Sequence, residues 1–128
     1  MDDILYKEIW IKASVEVVFN CFTKSEAMLT WHGKEVELNP TSGGIYKVVF
    51  EDGTVILGMY KEVEHNKKVV YTASYGNVES LITVDFIKEN GGTKIKLKQE
   101  FTSGQDTLSF DHGWDYFLGI LKGLLTSK

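Results

Sequence analysis

The chain has 128 residues, 43% hydrophobic and 25% charged, with a formal net charge of -4; this is the composition of one ordinary globular domain, expected to span residues 1–128. The acidic balance argues against nonspecific nucleic-acid binding, which needs a basic field, and no apolar run approaches the length needed for membrane insertion. The start, MDDILYKEIW, lacks a secretory pattern, and a single cysteine, Cys21, cannot form an internal disulfide, so a cytoplasmic protein is expected.

Ile4 to Ile11 alternate loosely and predict a first strand. The period then changes: Ser14 is a candidate N-cap, and Val15, Val18, Phe19 and Phe22 keep the i, i+3, i+4, i+7 spacing of an amphipathic helix, although the β-branched valines leave a strand open. Ser25 reads as a second cap, opening a short helix Glu26 to Trp31 that His32-Gly33 ends. From Lys34 onward the pattern is strand and turn. Val36 and Leu38 mark a short strand, and Tyr46, Val48 and Phe50 begin a regular alternation. Asp52-Gly53, His65-Asn66-Lys67, Tyr75-Gly76-Asn77 and Asn90-Gly91-Gly92 are turns joining successive antiparallel strands, a meander. In the last strand Lys94, Lys96, Lys98 and Glu100 alternate with Ile95, Leu97, Gln99 and Phe101, so one face is solvated and the other covered. Asp106 or Ser109 is a candidate cap for a final helix, His112 to Leu125. Its apolar arc holds Phe110, Trp114, Phe117, Leu118, Ile120, Leu121, Leu124 and Leu125. Gly113, Gly119 and Gly123 each cost this helix roughly 1 kcal/mol relative to alanine, which points to close packing or a gap, and Gly113 lies on the apolar side.

Catalytic and metal chemistry find little support. His32, His65 and His112 show no ligand spacing such as HExxH or CxxC, and no metal site or cofactor is expected. Cys21 lies on a buried stripe without an evident base, no serine sits in a GxSxG elbow, and the paired glycines have hairpin contexts rather than the strand-to-helix context of a phosphate cradle. The lysine row lacks interleaved aromatics, so it reads as a solvated strand face rather than a nucleic-acid surface. The better lead is the aromatic set. Tyr46, Tyr60 and Tyr71 from three successive strands and Tyr75 from the turn that follows, with Gln99 on a covered face, bring more polarity than a dry core wants, and each buried tyrosine hydroxyl needs a partner. A mostly apolar pocket with a few placed polar groups suits that mixture.

Several segments, in order, strengthen a family resemblance: Ile11-x-Ala13-Ser14-x-Glu16-x-Val18-Phe19-x-x-Phe22-Thr23, Trp31, Gly43-Gly44-x-Tyr46, Asp52-Gly53-Thr54, Gly58-x-Tyr60, Val69-Val70-Tyr71-Thr72, Gly92-Thr93 and His112-Gly113-Trp114. Together they resemble the bacterial proteins grouped with the activator of heat-shock protein 90 ATPase, in the START-like (SRPBCC) superfamily. The resemblance implies an α+β helix-grip fold, similar to the birch pollen allergen: a curved antiparallel sheet around a long C-terminal helix, with two short helices after the first strand. It also implies an apolar cavity between sheet and helix, taking a lipid, sterol, polyketide or flavonoid-like molecule without catalysis. Trp31, Tyr46, Tyr60, Tyr71, Tyr75, Gln99, Gly113, Trp114, Phe117 and Leu121 are the expected cavity residues. A chaperone-ATPase activator-like interaction protein is the alternative, and a cyclase/aromatase-type enzyme the third reading. The enzyme ranks last because the inward positions assigned here offer only tyrosines and one glutamine, whereas acid/base work at neutral pH favours His, Glu or Asp.

Overall fold

A computed structural model describes residues 4–76, 78–102 and 107–126, with side chains throughout except at 107–109 and 126. The elements run β1 (Ile4–Ile11), α1 (Val15–Thr23), α2 (Ser25–Met28), β2 (Glu35–Leu38), β3 (Ile45–Val49), β4 (Val55–Glu64), β5 (Lys68–Tyr75), β6 (Val78–Glu89), β7 (Gly92–Phe101) and α3 (Thr107–Thr126). Among the described residues the strands form one curved seven-stranded antiparallel sheet in the order β1-β7-β6-β5-β4-β3-β2. The α+β helix-grip architecture expected from the sequence is therefore the one observed.

Local chemistry explains most element boundaries. Ser14 caps α1, its hydroxyl accepting from the Val17 backbone N–H at 3.3 Å, and Val18, Phe19 and Phe22 are buried. The helical period thus prevails over the β-branching of the valines. The second helix is shorter than expected, ending at Met28, and its N-cap is Lys24 rather than Ser25. The chain then turns to Gly33, whose φ of 85° suits glycine. The last helix begins at Thr107, earlier than the expected His112. Ser109 therefore lies inside it and is not its cap, and Asp106 falls outside the described residues. Leu124, assigned to the apolar arc, is 38% exposed.

Inward residues alternate cleanly along the sheet: Tyr46 and Val48 on β3, Val69, Tyr71 and Ala73 on β5, Ser80, Ile82, Val84 and Phe86 on β6, Ile95, Leu97, Gln99 and Phe101 on β7 are all buried. The register of β4 against β5 shifts between Tyr60 and Glu62, a bulge that bends the sheet. Just before it, a Cβ on Gly58 would fall 1.8 Å from the Thr72 carbonyl oxygen, so only glycine allows that approach. The core has two parts. Beneath α1 and α2 it is filled by aromatic contacts, Phe22 meeting Trp31 at 5.0 Å and Phe86 at 5.3 Å between ring centroids. Beneath the stretch of α3 from Phe110 to Phe117 it is hollow.

Candidate functional site

The hollow is a cavity of about 350 Å³ between the inner face of the sheet and α3, near the small end of the range of roughly 300–1,000 Å³ usual for small-molecule sites. Tyr46, Tyr71, Ala73, Ser80, Ile82 and Gln99 form its sheet side, Phe110, Gly113, Trp114 and Phe117 its helix side, and Phe50, Asp52, Thr54 and Ile56 of the β3–β4 hairpin its rim. The hairpin is held by its own chemistry: Asp52 accepts from the Thr54 N–H at 2.9 Å, and that bond lowers the exposed carboxyl's pKa. The gap beside α3 follows from Gly113, where an added Cβ would meet nothing within 4 Å.

Seven expected residues face this space, namely Tyr46, Tyr71, Tyr75, Gln99, Gly113, Trp114 and Phe117; Trp31, Tyr60 and Leu121 do not. Each of the three is committed elsewhere. The Trp31 indole donates to the Cys21 carbonyl at 2.9 Å and the Tyr60 hydroxyl to the Phe22 carbonyl at 3.0 Å, both in the filled half of the core. Leu121, one turn beyond Phe117, is fully buried. Tyr75 ends β5 rather than lying in the turn and is 42% exposed, packing edge-on against Phe110 at 5.8 Å.

Polar groups on the cavity wall are of two kinds. One set is fully engaged: the Trp114 indole donates to Gln99 Oε1 at 2.9 Å, Gln99 Nε2 donates to Ser80 Oγ at 2.9 Å, and Ser80 donates to the Ala73 carbonyl at 3.1 Å. Ser80 is the inward alternate of Ile82 on β6. The other set is unsatisfied. His32 Nδ1 is buried without a hydrogen-bond partner in the protein, and the Tyr71 hydroxyl makes no full hydrogen bond although the Tyr46 phenol lies close enough to act on its titration, each such group carrying a desolvation cost of about 1–3 kcal/mol. The Tyr71 ring stacks on Tyr46 at 4.1 Å, 21° between planes, and burial raises both phenols well above their usual acidity range.

His32 corrects the expectation that the inward positions offer acid/base chemistry only tyrosines and one glutamine. It is 5% exposed and stacks between two indoles, Trp31 at 4.9 Å and Trp114 at 6.2 Å, with Phe50 and Phe117 edge-on at 5.1 and 4.5 Å. Burial lowers its pKa to about 4, so the ring is neutral at pH 7. Adjacency to Trp31 is the only signal of this role in the sequence. Among the described residues no group of three or more His, Cys, Asp or Glu is placed to hold a metal ion, and no described helix is long and apolar enough to cross a membrane.

Comparison with known proteins agrees with this geometry. The family model described as activator of Hsp90 ATPase homolog 1-like protein matches residues 12–126. No curated protein matches the sequence significantly. Among solved structures, DynU16, a protein in the dynemicin biosynthetic locus, superposes with a TM-score of 0.88 at 20% identity, covering 98% of this chain and 48% of its own; the chain thus spans about half of DynU16. A protein from Mesorhizobium loti gives 0.87 at 20% identity over 96% of both chains. The Aha1 dimer from Colwellia psychrerythraea gives 0.84 at 20% identity, over 97% of this chain and 96% of that one. At such identities these likenesses concern the fold.

Proposed function

The chain belongs to the activator of Hsp90 ATPase homolog 1-like family, and from that premise we propose that it binds, without catalysis, a small hydrophobic or aromatic molecule between the sheet and α3. The observation that carries this reading is the cavity of about 350 Å³ walled mainly by apolar and aromatic side chains. A protein interior is ordinarily packed to crystal density, so a void this size at one end of an otherwise filled core forgoes packing energy that a ligand would restore. Tyr46, Tyr71 and Tyr75 would contact it from the sheet, Gly113, Trp114 and Phe117 from the helix, and Gln99 would position the indole of Trp114. DynU16's place in a biosynthetic locus is compatible with a small-molecule cargo. The whole chain would act as one domain, in a reducing compartment such as the cytoplasm, where the buried Cys21 stays a thiol.

The test is titration with a panel of lipids and polyphenols followed by NMR. Shifts should concentrate on the inward residues of β3, β5, β6, β7 and α3. If no panel member perturbs them, the proposal falls; mass spectrometry of co-purified small molecules offers an independent route to the ligand.

A second reading, contact with a chaperone, is favoured by a different observation. Val55, Leu57 and Met59 lie at alternate positions on the outer face of β4 and are 40%, 49% and 45% exposed. Such a row suits a protein partner better than water.

A further inference from the structure

The two unsatisfied polar atoms on the cavity wall narrow the ligand class, given the binding reading above. His32 Nδ1 and the Tyr71 hydroxyl belong to side chains 5% and 1% exposed, both lining the same space. We propose that the cavity selects a neutral aromatic ring compound bearing a hydroxyl, which hydrogen-bonds to His32 Nδ1 or Tyr71 Oη in place of solvent. A hydroxyl both donates and accepts, so it meets His32 in either neutral tautomer and meets the tyrosine O–H in either sense. The stacked Tyr46–Tyr71 pair and the His32–Trp114 pair offer walls suited to a flat ring.

The same wall argues against acids. Among the described residues no lysine lines the cavity, and the chain has no arginine. The one ionisable base among those residues, His32, is caged by four aromatic rings, and Asp52 stands at the rim. A buried carboxylate or phosphate would go unpaired, at high cost. Fatty acids and phospholipid headgroups are therefore excluded from the interior, and neutral phenol-like molecules are favoured.

Calorimetric titration of the full chain with naphthol, naphthalene and naphthoate, with NMR of the His32 imidazole to localise binding, tests this. Naphthol should bind at least about fivefold tighter than either of the others, the yield of one hydrogen bond to an otherwise orphaned group. Tyr71→Phe and His32→Phe, which keep an aromatic ring, should together bring naphthol and naphthalene close to parity. Equal affinity of naphthol and naphthalene in the wild type, at a site that shifts His32, would overturn the hydroxyl assignment while leaving cavity binding standing. Tighter naphthoate would overturn the exclusion of acids. Binding of none of the three would overturn this inference, while the lipid and polyphenol titration decides the binding reading separately.

Discussion

His32 is a residue whose surroundings, rather than its type, decide its chemistry. Its pKa of about 4 in the folded chain against 6.5 when unfolded means that between these values the unfolded state takes up a proton the folded state refuses. Stability is therefore full above about pH 6.5 and falls as the pH drops toward 4, by up to roughly 3 kcal/mol from this group. Urea unfolding across that window should show a slope that His32→Phe reduces. An unchanged slope would mean that the imidazole is not held neutral. The sequence places this residue at a helix end, where solvation is the ordinary expectation. Its burial comes from Trp114 and Phe117 arriving on α3, a long-range contact that no local pattern announces.

At the scale of the element, α3 combines two kinds of glycine. Gly113 borders the cavity, while Gly119 is exposed, and neither would bring a Cβ within 4 Å of another atom. Gly119→Ala should raise stability by roughly 1 kcal/mol through helix propensity alone and leave ligand affinity unchanged. Gly113→Ala should stabilise similarly but reduce affinity, because the new methyl occupies ligand space; thermal unfolding paired with titration separates the two. The arc of this helix was readable from its spacing, as was the alternation of β7, because both are periodic. Its first turn was not, since Thr107 precedes the apolar pattern. Nor was the division between lining and filling: Trp114 and Leu121 share an arc, yet of the two only Trp114 lines the void. The helix is also pinned at its other side by Lys7 of β1, which contacts Asp111 and, at 2.6 Å, Asp115; these partners raise the lysine's pKa.

For the whole molecule, the two functional readings use opposite faces of one sheet, and this makes them separable. Gly113→Leu acts on the inner side and should abolish or strongly weaken ligand binding without altering a chaperone pull-down. Leu57→Lys acts on the outer side, where the residue is half exposed, and should do the reverse if a chaperone docks there. Loss of ligand binding on Leu57→Lys would contradict the placement of the ligand inside. The fold itself was legible because seven strands and three helices in this order have few ways to cover one another. Which face carries the activity depends on exposed residues, whose identity local patterning constrains least.

The pairing of β1 with β7, from Ile4 opposite Glu100 to Ile11 opposite Thr93, also sets an order in time. β1 is synthesised before every other strand of the sheet, yet among the described residues its one sheet neighbour is the last strand made. Trp10, whose indole donates to the Glu89 carbonyl, and Ala13, whose carbonyl accepts from Thr93, wait for the same late segment. During synthesis the meander from β2 to β6 can therefore zip up locally while β1 remains unpaired, and closing the sheet is a long-range event of the kind that slows folding. Lys7, turned toward the inner face, gives that waiting strand a charge where a hydrophobic residue would invite the wrong neighbour.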